Sequence, residues 1–270
     1  MKKHTSWHFR QLTWWCVLFC LTAFSTWAQT PKRLLIVTAT RGFRHPSIPT
    51  AEKVLADIGQ KSGVFTVDYV RGGADGKDDK DVIAKMSLES LKNYDGVVFA
   101  NTTGILPVPD KEGFLNWIKS GKAFIGMHSA SDTFHGKDVI DPFIECLGGE
   151  FKGHGAQVGV ECLNQDLNHP ATKHFGESFC LEKEEIYLFK NYEPRRVHEL
   201  LILDKHPNEK KTLGRFPVSW CKKYGDGNVF YTSLGHREDV WENELYKKHI
   251  LGGIKWALGL EKGDSEPQTK

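Results

Sequence analysis

Three features of this chain predict a doubly wound α/β fold. Continuous apolar runs rich in β-branched or aromatic residues recur at residues 32–40, 96–100 and 122–128, as in strands buried on both faces of a parallel sheet. Segments 48–58 and 110–120, with apolar positions three and four apart, lie between them and read as amphipathic helices. Gly121 and the Gly148-Gly149 pair then stop helices, since glycine adopts the left-handed conformation that ends them. Strands alternating with helices give a parallel sheet covered on both sides, with a ligand crevice beyond the strand carboxyl ends.

In chain order, residues 1–28 read as an export signal. Lys2, Lys3 and Arg10 form its positive end, residues 12–24 its apolar core, and Thr26-Trp27-Ala28 a small-x-small cleavage site,. The core is shorter than the ~20 residues needed to span a bilayer, so cleavage is favoured over a retained anchor. The expected address is periplasmic or secreted, with no stable membrane anchor. Cleavage leaves 242 residues and takes the formal net charge from +2 to −1. That balance argues against nucleic acid as a partner. One domain over 29–262 follows, because neither a proline- or serine-rich linker nor an internal repeat is visible.

The first strand leads through the loop 41–49 into a helix at 48–58, with Ser47 as its expected cap. Residues 65–70 alternate as a second strand, and 72–80, rich in glycine and acid, read as a solvated loop,. A short helix at 88–94, the strand 96–100, the helix 110–120 and the strand 122–128 follow, then a helix at 139–147. The second half is more extended. Segments 156–163, 184–189, 199–203, 217–224 and 228–233 read as strands added antiparallel at one side, with a glycine hairpin turn at 224–228. A helix at 245–258 closes a sheet face, and the polar tail beyond, 263–270 included, is expected to fray. Cys146, Cys162, Cys180 and Cys221 match no zinc-finger spacing and read as buried thiols in a core that needs no staples.

The chemistry concentrates in four histidines at turns or strand ends: His45 in Gly42-Phe43-Arg44-His45, His128 in Gly126-Met127-His128-Ser129-Ala130, His154 between two glycines, and His236 after Gly235. The second has the shape of a nucleophile elbow, where a strand ending in Gly-x-X-x-small puts X on a sharp turn. Imidazole cannot do the acyl transfer of a thiolate, so X here coordinates a metal, moves protons or binds. Singly, each histidine has an ordinary structural reading; as a set at sheet ends they point to a shared pocket. Of the pair Glu184-Glu185 strand alternation admits one to a cleft, with Glu185 favoured, and Asp132 follows the elbow by four residues. Either carboxylate can orient a histidine, act as general base or bind sugar hydroxyls. Arg44 and Arg237 can clamp a polar ligand or form surface ion pairs. Trp220, with Phe216, Tyr231 and Tyr192, offers aromatic surface on which a sugar ring can stack.

These blocks, with Gly149-Glu150-Phe151, Glu184-Glu185-Ile186-Tyr187, Pro217-Val218-Ser219-Trp220 and Ser233-Leu234-Gly235-His236, run in order over residues 33–260. The chain thereby resembles the ThuA-like (trehalose utilisation) family, whose fold is similar to class I glutamine amidotransferases. The resemblance implies a flavodoxin-like, mainly parallel sheet with His128 at the amidotransferase nucleophile position, so glutaminase activity is not expected. It also implies an oxidised, 3-keto disaccharide or glycoside as substrate. Two departures stand out: Glu184 where the family usually has Asp, and Asn228 where the hairpin more often has Arg.

The resulting expectation is a hydrolase or lyase. A divalent metal, zinc by the preference of imidazole ligands, is held by some of His45, His128, His154 and His236, with Glu185 or Asp132 as base. The alternative is a non-catalytic periplasmic module that captures a carbohydrate in the same cleft.

Overall fold

The computed structural model describes residues 1–3, 30–136, 139–208 and 213–268, so nearly all of the segment read as an export signal lies outside the described residues. In chain order the elements are β1 (Lys32–Val37), α1 (Ile48–Ser62), β2 (Phe65–Val70), α2 (Asp79–Lys85), α3 (Leu88–Leu91), β3 (Gly96–Ala100), α4 (Lys111–Lys119) and β4 (Ala123–Met127). A 3₁₀ turn (His128–Asp132) precedes α5 (Pro142–Leu147), β5 (Glu150–His154), β6 (Val158–Asn164), β7 (Ser178–Glu184) and β8 (Tyr187–Lys190). Then come β9 (His198–Lys205), β10 (Leu213–Tyr224), β11 (Gly227–Thr232), α6 (Glu238–Glu242) and α7 (Glu244–Ala257). From Pro31 onward the chain forms one compact unit. Among the described residues, no helix is long and apolar enough to cross a membrane.

Nine strands form one sheet in the order β2-β1-β3-β4-β11-β10-β9-β6-β7, and β5 pairs with β8 in a separate ribbon. The continuous apolar runs take the centre, as their two-sided hydrophobicity requires: Leu34 and Ile36 enter one core, Leu35 and Val37 the other. The helices α1 and α7 cover the first face, while α4 and α5 cover the second. Two strands depart from expectation: the segment 184–189, read as part of the antiparallel extension, gives β8, which leaves the sheet to pair with β5, and β11 takes the opposite direction. β11 runs parallel to β4, and the antiparallel extension begins only at β10. The hairpin after β10 reverses the chain into the slot beside β4, so a strand late in sequence completes the parallel half.

Local chemistry sets the helix ends. Asp110, Asp141 and Asn243 accept from the first-turn amides of α4, α5 and α7, satisfying donors that have no partner within a helix. Ser47 makes no such bond at α1. Its hydroxyl lies 3.3 Å from the Gly235 carbonyl and accepts from Asn101 Nδ2 at 3.1 Å, tying the helix start to the loop after β11. The acidic loop is also more than solvated: Asp78 caps α2, and Asp81 accepts from the amides of Arg71 and Gly72. Asn228 donates to the carbonyls of Trp256 and Ala257, so it holds the end of α7 rather than facing the crevice.

Two further expectations change. The tail does not fray as far as residue 268: Trp256 Nε1 donates to Gly263 O, His198 Nδ1 to Glu266 O at 2.8 Å and Gln268 Nε2 to Glu199 O at 3.1 Å. Polar residues dock here because buried ring donors on β9 and α7 need acceptors. The four cysteines among the described residues are free; Cys146, Cys162 and Cys221 are buried as expected, whereas Cys180 is exposed on the edge strand β7. Burial pushes the Cys146 thiol up to about 12 and the other two buried thiols up as well, which keeps them protonated and unreactive.

Candidate functional site

The elbow forms at the end of β4. His128 holds φ at 48°, a left-handed conformation costly for a residue with a Cβ. Close packing enforces it. A Cβ on Gly126 would lie 2.8 Å from Leu147 Cδ1, 3.0 Å from Tyr231 and 3.3 Å from the Ala130 methyl, which explains the glycine and the small residue flanking this histidine. The His128 ring is then oriented by a 2.8 Å bond from Nδ1 to the Ser233 carbonyl. A carbonyl only accepts, so Nδ1 carries the proton and Nε2 presents a lone pair.

Several groups converge on that lone pair. Tyr187 Oη lies 2.8 Å away, His45 Nε2 3.1 Å, His236 Nδ1 3.3 Å and Glu185 Oε1 3.7 Å. Glu185 Oε1 also lies 3.2 Å from His236 Nδ1, and its other oxygen 3.0 Å from His154 Nδ1. One ligand atom from each of His45, His128, Glu185 and His236 falls within 4.8 Å of all the others. Ligands around a tetrahedral zinc at bond lengths of about 2.0–2.1 Å stand roughly 3.3–3.4 Å apart. The measured separations suit one small cation.

Electrostatics keep the donors available. Burial, reinforced by the charges of His236 and His154, lowers His45 to about 3, and burial likewise takes His128 well below its ordinary value; both rings are neutral at pH 7. Burial also depresses His236, but its hydrogen bond to Glu185 and that carboxylate's charge outweigh the penalty and raise it. Glu184 is a support. Fully buried, it accepts from the Glu185 amide at 2.7 Å and the Gly235 amide at 3.2 Å, and burial pushes it up to about 7. It thus ties the turn that carries Glu185 to the turn that carries His236.

A cavity of about 230 Å³ opens beside the cluster, lined by Phe43, Thr103, Ser129, Asp132, Phe151 and Tyr187 as well as His45, His154, Glu185 and His236. Asp132 pairs with His135 at 2.7 Å, and burial raises its carboxyl despite that partner. The sequence-derived residues therefore divide. His45, His128, His236, Glu185 and Asp132 are brought together. His154 stands at the mouth and reaches the cluster only through Glu185, which takes the place expected for it.

Arg44, Arg237 and Trp220 do not line the cavity. Arg44 donates to the Thr38 carbonyl, Arg237 forks onto Asp239 and reaches Gln157, and Trp220 is fully buried against Tyr231 with its Nε1 bonded to Leu147 O. Each satisfies itself within its own layer. The residues missed as cavity walls are Phe43, Thr103, Ser129, Phe151 and Tyr187. Phe43, Ser129, Phe151 and Tyr187 lie within the sequence blocks that carry the histidines and carboxylates, and Tyr187 also stands two residues beyond Glu185 on the same side of an extended segment; Thr103 carries no such signal.

The family model described as trehalose utilisation, ThuA, matches residues 33–257. The chain belongs to the ThuA family. A ThuA-like protein from Parabacteroides merdae is similar at 21% identity and a TM-score of 0.63, over 84% of this chain and 90% of that one. Another, from Bacteroides uniformis, reaches 21% and 0.65 over 86% and 94%. A β-galactosidase from Rahnella shares the fold at 11% identity and a TM-score of 0.52, over 86% of this chain and 32% of that larger one. No curated protein matches the sequence. Membership accounts for the mixed sheet and agrees with an amidotransferase-like architecture in which an imidazole stands at the elbow.

Proposed function

We propose that this ThuA-family protein is a metal-dependent lyase or hydrolase that breaks the glycosidic bond of 3-keto disaccharides or glycosides. The observation that carries the reading is the convergence of His45, His128, Glu185 and His236 within 4.8 Å at the wall of a cavity that also holds Asp132. The family's description, trehalose utilisation, supports a carbohydrate as ligand. A divalent cation held by those four residues, zinc being best suited to three imidazoles, supplies Lewis acidity at a carbonyl oxygen.

The chain's own residues do the remaining work. A ketone at C3 acidifies the C2 proton, and Asp132, made more basic by burial, is placed to take it. The electron pair of the broken C–H bond becomes an enolate with its charge on the C3 oxygen. Its return forms the C1–C2 double bond and expels the glycosidic oxygen, which recovers the proton from Asp132. Glu185, expected as an alternative base, serves instead as a ligand because three imidazoles already crowd its oxygens. We further propose, from the export-signal pattern of residues 1–28,, that the protein acts outside the cytoplasm; the secreted form should then begin at Gln29 on amino-terminal sequencing.

The test compares metal-loaded and chelated protein on a methyl 3-keto-glucoside and on the parent glucoside. Turnover of the keto form alone, lost with chelation and in His128→Ala, is expected. Saturable binding indifferent to chelator, with no product, would replace the enzyme by a sugar-binding module.

A further inference from the structure

Tyr187 is buried to 3% exposure, and its hydroxyl stands 2.8 Å from His128 Nε2 on the cavity wall. Because His128 Nδ1 donates to Ser233 O, Nε2 has a single lone pair, and the phenol is the nearest group that can donate to it. A cation bound by the cluster needs the same lone pair. The two cannot share it. Resting on the function proposed above, we infer that Tyr187 is a catalytic residue: cation binding frees its hydroxyl from His128 to donate a hydrogen bond to the enolate oxygen that develops on the keto sugar.

The surroundings favour this role. The Tyr187 ring is fixed between Phe151, 4.5 Å away by centroid, and Phe189 at 6.2 Å, so release from His128 leaves the ring in place and turns only the O–H. A phenol ordinarily ionises only at about pH 10, so at neutral pH the hydroxyl acts as a hydrogen-bond donor without transferring its proton. No other atom balance changes: the proton still moves from C2 through Asp132 to the leaving oxygen. A positioned donor of this kind is worth about 10²–10³-fold in rate where negative charge develops.

Tyr187→Phe separates the outcomes, since it keeps the ring contacts and removes only the hydroxyl. In metal-free protein, the ¹⁵N resonance of His128 Nε2 should move as its donor is lost. Calorimetric titration with zinc should show affinity unchanged or up to about tenfold tighter, because a competitor for the lone pair has gone. On methyl 3-keto-glucoside, kcat should fall about 10²-fold with KM within about threefold, the mark of an interaction made in the transition state.

Weaker zinc binding in a variant with an unchanged melting temperature would make Tyr187 a ligand or prop and overturn the inference. Unchanged kcat would do so too. Tighter zinc binding together with a wild type inert on every 3-keto glycoside would sink the enzyme reading, and the donor role with it, while leaving the competition for His128 standing. A wild type that binds no zinc removes the cause of release and overturns the inference outright.

Discussion

His128 carries more of the site than any other side chain, because its backbone is strained, its Nδ1 is committed and its Nε2 faces every other ligand. Loss of one ligand from a four-residue set leaves the others able to hold a cation only weakly. His45→Ala and His236→Ala are each expected to weaken zinc binding by about 10–100-fold or more, read by competition with a chromogenic chelator. Residues outside the site should behave differently. Trp220→Ala opens a void in the core and should cost about 3–5 kcal/mol in urea unfolding, whereas Ile105→Ala at 71% exposure should stay within about 0.5 kcal/mol. An unaffected Trp220 variant would contradict its placement in the core. These contrasts explain what could be read at this scale. The histidines were legible because each follows a strand or borders glycine. Arg44, Arg237 and Trp220 stand outside the cavity because their placement depends on Thr38, Asp239 and Leu147, partners that the local pattern does not specify; for Arg237 the outcome is the surface ion pair that the sequence also offers.

At the scale of elements, the β5–β8 ribbon is what the parallel sheet lacks. It brings His154 and Tyr187 over the strand ends, with Glu185 in the turn before β8. The central strands were evident from their apolar runs, as were α1, α4 and α7 from their periodicity. α2 and α6 are short and mostly exposed, and β7 alternates weakly, so neither moment nor run length announced them. The tail was misread for a different reason. Its side chains are polar, yet its carbonyls and the Gln268 amide dock on the folded unit. Truncation after Gly263 removes the acceptors of His198 Nδ1 and Cys221 Sγ and should destabilise the protein by about 1–3 kcal/mol, visible as a lower urea midpoint. A midpoint identical to that of the full chain would show the tail to be idle.

For the whole molecule, the sheet order places β4 between β3 and β11 at the centre, and the site crowns that centre as the crevice rule for open α/β sheets demands. The same burial that readies the site makes the fold acid-sensitive. His45 and His249 are lowered to about 3 and His169 to about 4, with His128 also lowered, all chiefly by burial. Their unfolded rings take protons near pH 6.5 that the folded rings refuse. Stability is therefore full above that value and falls with decreasing pH, by up to about 1.4 kcal/mol per unit for each ring. Glu184, Asp132 and His236, which are raised, oppose the trend with the opposite sign. Five lowered rings, His174 among them, outnumber Glu184 and Asp132, the raised groups that act below pH 6.5, and leave a net loss of metal-free protein stability between pH 6.5 and 4.5, to be followed by urea titration; a flat profile would refute the burial argument. The claim beneath all of this is that His45, His128, Glu185 and His236 form one cation site, and its most direct test is zinc calorimetry on protein stripped of metal. The account predicts one ion per chain, bound at micromolar concentration or tighter and lost in His128→Ala; an absence of binding, or binding that the substitution leaves intact, would contradict it.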